Sequence, residues 1–324
     1  NISLIIQKLA KESPLDIANK ITLELKKCSE FIKVEVAKPG FINLWLDNSM
    51  WQSFLKSSLK LDDLIDCNIG NGRSVNVEYV SANPTGPLHV GHCRGAVFGD
   101  VLSNLLQKTG HKVTKEYYIN DAGSQIKNLT NSVFIRYQEL LGEKFSEYPD
   151  DFYPGDYLMP VAQYFVSTHN TKLLEMNDEE RFSLIKPYTV NFMINLIKED
   201  LAALSINQDI FISEQDLVNE GKIDKAIKAL EKSNLIYEGV LDPPKGKKPD
   251  DWEPRPQMLF KSTNYGDEVD RPLQKSNKEW TYFANDIAYH FDKYKRGSTH
   301  LIDILGADHG GYVKRMTAAV AALS

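Results

Sequence analysis

His89 and His92 are the residues most suited to chemistry, being three apart at the head of a helix-forming run. That spacing sets both imidazoles near one face of a first helical turn. Imidazole N–H groups there, aided by the helix dipole, can hydrogen-bond phosphate oxygens. Donors fixed where charge grows on an attacked phosphate favour the transition state over the ground state. Gly91, between them, lets a flat ring approach its backbone. The preceding Asn83-Pro84-Thr85-Gly86-Pro87 limits backbone freedom through its two prolines. Two other readings stay open on the residues alone. The pair could serve as polar capping or surface residues. Zinc ligation more often uses an i, i+4 pair and lacks an evident third ligand. The glycine fingerprint of dinucleotide dehydrogenases is absent.

The elements that must hold these histidines read as a β–loop–α–β unit. Ser74 to Ser81 alternates like a strand. Ala82 to Leu88 is a turn-rich loop. A helix opens at His89 and runs to about Thr109, Gly110 stops it, and a second strand begins near Lys112. Upstream, residues 1–72 read as a small α+β domain. It has helices at Leu4–Leu9, Leu15–Leu25 and Met50–Leu59, and strands at Ile32–Val36 and Phe41–Leu46 joined by Lys38-Pro39-Gly40. Ile69-Gly70-Asn71-Gly72 reads as the boundary. Downstream, Asp121–Leu140, Tyr157–His169 and Glu179–Leu204 read as helices, the last kinked or interrupted by Pro187. Short strands are expected at Asp209–Ile212, Leu235–Leu241, Glu279–Ala284 and Leu301–Leu305, with helices at Ile223–Ser233 and Asn285–Lys293 and a surface loop at Asp242–Pro256. The fold class is α/β: a doubly wound, mainly parallel sheet over residues 73–324, with a helical insertion at about 126–205.

The 324 residues allow two units, and 42% hydrophobic with 25% charged residues is ordinary for a globular chain. A net charge of −6 argues against nonspecific nucleic-acid binding by bulk attraction, while local basic patches such as Lys245-Lys247-Lys248 and Lys293-Lys295-Arg296 remain available. Cys28, Cys67 and Cys93 are scattered, which suits a reducing compartment and gives no metal motif. No apolar run is long enough to span a membrane. Asn1 is not an initiator Met, and the final TAAVAALS reads as a helix without a cap, so a piece of a longer protein is expected.

Ala82-Asn83-Pro84-Thr85-Gly86-Pro87-Leu88-His89-Val90-Gly91-His92 resembles the HIGH signature of class I aminoacyl-tRNA synthetases, with Val90 in the Ile position. The wider blocks NVEYVSANPTGPLHVGHCRGAVFGD, RPLQKSNKEWTYFANDIAYHFDKY and ILGADHGGYVKRM are similar to bacterial arginyl-tRNA synthetases, and KPGFINLWL to their appended N-terminal domain. The resemblance implies a Rossmann-like, HIGH-type nucleotidyltransferase fold. It implies ATP-dependent ligation of L-arginine to tRNA(Arg) through an arginyl-adenylate, with magnesium accompanying ATP, in a cytoplasmic monomer. Carried over by position, His89 and His92 would be catalytic, and His89, Gly91, His92, His309 and Gly310 would contact ATP. Glu78, Tyr282 and Asp286 would bind the guanidinium. Ser81, Asn83, His92 and Asp308 would hold the amino-acid end, and Phe41 and Asn43 would contact tRNA. A carboxylate suits a planar guanidinium because it can accept two N–H donors at once. Each residue also has an ordinary role open to it: a helix-start charge for Asp286, a core aromatic for Tyr282 or Phe41, a lysine partner for Glu78, a turn residue for Asp308. The second ATP signature of the class, KMSKS-like, is not found, and Lys275-Ser276-Asn277-Lys278 fits neither its position nor its composition. Two alternatives follow: a catalytically incomplete binding module, or another HxGH nucleotidyltransferase.

Overall fold

Runs of β-branched and aromatic residues separated by helical stretches need strands covered by helices, and a computed structural model of the chain has that layout. The structure describes residues 1–59, 67–241, 255–275, 277–306 and 310–324. It divides into two compact units, Asn1–Asp66 and Cys67–Ser324.

The first unit carries helices α1 (Ile2–Ala10) and α2 (Pro14–Leu25), the antiparallel hairpin β1 (Phe31–Ala37) and β2 (Phe41–Leu46), and helix α3 (Asn48–Ser58). Pro14 sits at the first turn of α2, where its missing N–H costs nothing. Ser13 caps that helix by accepting from the Asp16 amide. Phe41 and Asn43 lie two apart on β2, hence on one face, and both are exposed. Phe41 is therefore not the core residue that its type alone allows.

The second unit is built on four parallel strands in the order β5-β4-β3-β9. They are β3 (Ser74–Glu78), β4 (Lys112–Ile119), β5 (Ile210–Ser213) and β9 (His300–Asp303). Helix α4 (Val90–Lys108) crosses from β3 to β4. Gly70 and Gly72, read from sequence as the boundary, belong to this unit. Their amides donate to Thr109 O and Gly110 O, each at 2.8 Å. Strand β3 is shorter than its alternation suggests, because Val80 and Ser81 take positive φ (70° and 40°) and turn the chain away. Its last four residues are also buried, Asn76 included. Alternation predicts one wet face, but a parallel sheet is covered on both. Asn76 is tolerated because it donates to Glu116 Oε2 at 2.6 Å.

The insertion is helical, as the sequence predicts: α5 (Ser124–Leu140), α6 (Met159–His169) and α7 (Asp178–Ala203). It has its own core around Leu129, Tyr137, Phe165 and Met193. Pro187 does not interrupt α7. The helix buries Ile185 and Met193 in that core and Ile197 and Leu201 in the core under the sheet. Burial at both ends outweighs a proline cost of about 3 kcal/mol.

Beyond β5 come α8 (Glu214–Asn219) and α9 (Lys222–Lys232). A small antiparallel sheet follows: β6 (Ile236–Gly239), β7 (Gln257–Phe260) and β8 (Arg271–Pro272). Helices α10 (Tyr282–Lys295) and α11 (Val313–Leu323) flank β9. Of this sheet the sequence predicts β6, within Leu235–Leu241, but not β7, β8 or their pairing. The strand expected at Glu279–Ala284 does not form. Trp280, Thr281, Tyr282 and Phe283 have strand-like types, but Thr281 Oγ1 accepts from the Ala284 amide and starts α10 instead. The surface loop expected at Asp242–Pro256 lies almost wholly outside the described residues, and only its last two belong to them. No described helix is long and apolar enough to cross a membrane.

Gly99 on α4 lies against Tyr79, where an added Cβ would stand 2.2 Å from the ring. We expect Gly99→Ala to destabilise the second unit by about 1–2 kcal/mol, overpacking outweighing the gain in helix propensity. Urea unfolding of the variant checks this, and an unchanged midpoint would contradict the packing described.

Candidate active site

Side chains from the carboxyl ends of all four parallel strands converge, the place where open α/β sheets bind ligands. His89 stands on the loop after β3. It is the N-cap of α4, with extended backbone at φ −123°. The Gly91 amide donates to His89 Nδ1 at 3.1 Å, and the His89 amide donates to His92 Nδ1 at 3.3 Å. The two rings stack with centroids 3.9 Å apart. The histidines therefore do cap their own helix, and capping and phosphate binding do not compete. A backbone N–H can only donate, so each Nδ1 accepts and each neutral ring carries its proton on Nε2. Burial first, and then the neighbouring His89, hold the His92 imidazolium below the usual histidine range. The helix start thus presents neutral Nε2–H donors.

The loop that carries them is tied down by the insertion. Tyr157 Oη donates to Thr85 O at 2.9 Å, and the Leu88 amide donates to Asp200 Oδ2 on α7 at 2.8 Å. Tyr117 Oη holds Ala82 O at 2.8 Å, and Asn83 Nδ2 donates to Gln125 Oε1 at 2.7 Å. Gly86 lets the Tyr157 ring come within 2.9 Å of where a Cβ would be.

A second cluster is ionic. Glu116, Glu78 and Asp303 occupy one register across β4, β3 and β9. Two cations of α10 meet this rung of acids. Lys293 Nζ, on a fully buried side chain, donates to Glu78 Oε2 at 2.5 Å and to Asp303 Oδ1 at 2.8 Å. Arg296 grips both oxygens of Glu116 at 2.8 Å and reaches Asp292, which also takes Lys222. His290 Nδ1 lies 2.7 Å from the Asp286 carbonyl and Nε2 2.8 Å from Asp303 Oδ2. Both of these partners are acceptors, so His290 is held as imidazolium. Burial is the largest influence and disfavours that charge, but the Asp303 hydrogen bond together with the negative charges of Asp303 and Glu78 prevails and raises the His290 pKa. Lys293, His290, Glu78 and Asp303 together are then neutral. Glu78, His290 and Asp303 have metal-type ligand atoms within 4.8 Å of one another, but the Lys293 ammonium binds two of the three.

Asp286 is different. Among the described residues its carboxylate has no ion pair. Burial above all pushes it up to about 7. Negative Glu214, Glu78 and Asp303 push the same way, against the opposing charge of His290. Glu214, missed in the sequence reading, is the first residue of α8. It is buried, accepts from Asn285 Nδ2 at 2.8 Å, and leaves Oε2 without a partner. Burial also raises its pKa. Tyr118 on β4 stacks on Tyr289 at 4.2 Å and leaves its buried hydroxyl unpartnered. Two acids without an ion pair and a free hydroxyl thus lie within one another's field, a set whose chemistry suits an organic cation with several N–H donors. The sequence signal for Glu214 was weak: an acid just after a short strand that ends in a capping serine.

The remaining expected residues are placed as follows. Ser81 Oγ donates to Glu78 Oε1 at 2.9 Å and accepts from the Tyr118 amide at 3.0 Å. Both Glu78 oxygens are therefore engaged by the protein. Tyr282, one turn before Asp286, is 64% exposed and has Lys275 over its ring at 5.6 Å. Gly310 is in a turn before α11. Asp308 and His309 lie outside the described residues.

Residues 55–305 match the family described as tRNA synthetases class I (R), catalytic domain, and residues 1–46 match the arginyl tRNA synthetase N terminal domain. The chain belongs to the class I arginyl-tRNA synthetase family. It is 51% identical over 325 residues to an arginine–tRNA ligase of Ruegeria sp. (strain TM1040) and 50% identical over 324 residues to one of Rickettsia prowazekii (strain Madrid E). All of this chain is covered in both cases, but only 56% of each relative. Among solved structures, a putative arginyl-tRNA synthetase from Campylobacter jejuni aligns at a TM-score of 0.71 and 33% identity, over 86% of this chain and 57% of that one. Thermus thermophilus arginyl-tRNA synthetase shares the fold at a TM-score of 0.57 and 21% identity, over 89% of this chain and 46% of that one. The synthetase-type histidine helix and the acidic pocket thus occur together at one sheet end.

Asp286 in an unfolded chain would titrate near 3.8, and in the fold near 7. Its ionisation therefore costs stability as pH rises between these values. We expect Asp286→Asn to stabilise the second unit by roughly 1–4 kcal/mol at pH 8 and by much less at pH 5. Urea melts at the two pH values measure this, and a gain no larger at pH 8 would remove the buried-charge account.

Proposed function

We propose that the full-length protein carrying this chain ligates L-arginine to tRNA(Arg) at the expense of ATP. The observation that carries the reading is the pair Asp286 and Glu214, acids in one another's field and without an ion pair among the described residues, in the same unit as the His89–His92 helix start. A guanidinium brings one positive charge and five N–H donors, which matches two carboxylates and the Tyr118 hydroxyl. Glu78 can add an acceptor through lone pairs that Lys293 and Ser81 leave free. Tyr282 stands one turn from Asp286 as a flank. Asn83, His92 and Asp308 are assigned to the amino-acid end, and Gly91, His309 and Gly310 to ATP. Phe41 and Asn43, exposed together on β2, supply a stacking ring and an amide for an unpaired base of tRNA.

In the first step an arginine carboxylate oxygen attacks the α-phosphorus of ATP, and the bond to the β-phosphate oxygen breaks. Arginyl-adenylate and pyrophosphate result. The Nε2–H groups of His89 and His92 donate to phosphate oxygens as negative charge builds there. Because both rings are neutral and held through Nδ1, they stabilise charge without releasing a proton. In the second step a ribose hydroxyl at the tRNA end attacks the arginyl carbonyl and AMP leaves. Magnesium would arrive with the ATP phosphates. The Glu78–His290–Asp303 group does not fit that ion, since the Lys293 ammonium already binds it.

The test is ATP–pyrophosphate exchange by the full-length protein with arginine and tRNA present. Arginine-dependent exchange is expected, and His92→Ala should lower its rate about 10²- to 10³-fold. Exchange indifferent to arginine but driven by another amino acid would overturn the assignment.

A further inference from the structure

We propose that Lys293 is a positioning residue for arginine recognition: its buried ammonium clamps Glu78 and Asp303 together and leaves Asp286 and Glu214 as the pocket's acids without an ion pair. The inference rests on the reading of that pocket as the arginine site.

The geometry is specific. Lys293 and Asp286 are seven residues, or two turns, apart on α10 and so share one side of that helix. The Lys293 ammonium joins the last residue of β3 to the last residue of β9. The Glu78 oxygen that Lys293 does not take accepts from Ser81, whose hydroxyl in turn accepts from the Tyr118 amide. One cation therefore fixes a chain from α10 through Glu78 and Ser81 to Tyr118, whose hydroxyl is free for a ligand. The Tyr289 ring, 4.4 Å from Lys293 Nζ, covers the ammonium on one side. A surface ion pair would not be buried in this way, nor placed between two strand ends.

The surrounding charges show what loss of Lys293 would do. Glu78 on β3, Glu116 on β4, Asp303 on β9 and Glu214 on α8 all bear on this space. From α10, Asp286 adds negative charge and His290 positive, and Arg296 is committed to Glu116 and Asp292. Lys186 of α7 acts on Glu214, and Arg315 of α11 lies in the field of Asp286. Tyr118 and Tyr289 stay neutral, burial being the main cause. Removing the ammonium leaves one negative charge too many and takes away a charge that holds Asp303 ionised, so proton uptake by the acids of this space becomes easier. A protonated carboxyl is a poor partner for guanidinium, and raising the pH restores the carboxylate.

The experiment uses the full-length enzyme and measures KM for arginine and for ATP, with kcat, in pyrophosphate exchange between pH 6.5 and 8.5. Lys293→Met is expected to raise the arginine KM about tenfold or more at pH 7, with partial recovery at pH 8.5 and ATP KM within about twofold of wild type. Lys293→Arg, which keeps the charge, should restore part of the loss. Asp303→Asn, at a partly exposed residue, removes a negative charge and unclamps Lys293 from β9; it should raise the arginine KM about three- to tenfold without the recovery at pH 8.5, and it carries the test if Lys293→Met does not fold. An arginine KM within about twofold of wild type in the folded variants would overturn the proposal. So would a loss shared equally by arginine and ATP, or one confined to kcat. Asp286→Asn tests the underlying pocket separately. If its arginine KM is unchanged, the pocket reading fails; if it rises while the Lys293 and Asp303 variants stay normal, only the positioning role fails.

Discussion

Three carboxylates side by side at one level of a parallel sheet repel one another unless cations meet them. Glu116, Glu78 and Asp303 are in that position, and Lys293 and Arg296 of α10 meet them. Much of the second unit depends on this match. It fixes α10 against β3, β4 and β9, and so sets where Asp286 and Tyr289 stand. Buried pairs of this kind contribute little net stability, because desolvation offsets attraction, but losing one partner costs about 3–5 kcal/mol. Their effect is to admit one arrangement of helix on sheet.

The balance of charge in the rung also sets apart the acids beside it. Lys293 and His290 offset Glu78 and Asp303, so that group offers no net charge to a ligand. Asp286 and Glu214 form no ion pair among the described residues, His290 and Lys186 act on them only at a distance, and burial raises the pKa of both. The fold keeps two carboxylates in a place where ionisation is costly, and a bound cation would relieve that cost.

The histidine helix follows a different rule. His89 and His92 are placed by local chemistry, since each Nδ1 takes a backbone amide of its own helix start. The insertion then fixes the loop in space through Tyr157 and Asp200. Local capping sets the tautomer and long-range contacts set the position, so a ring can donate from Nε2 without rearrangement.

The sequence by itself determined the local and the periodic features. The β–loop–α–β unit around His89 and His92, the hairpin of the first unit and the helical insertion were legible because capping residues, turn formers and hydrophobic spacing act over a few residues. The ordered family blocks made Asp286 and Glu78 candidates. Only the tertiary structure decided the rest. It started α10 at Tyr282, where a strand was expected, because the Thr281 cap prevailed over strand-like residue types. It carried α7 through Pro187 because two cores bury that helix. It engaged both oxygens of Glu78, and it brought Glu214 to Asp286 across 72 positions of chain. Which charges are compensated and which are left bare depends on side chains far apart in sequence, and that accounting exists only once the sheet and α10 have met.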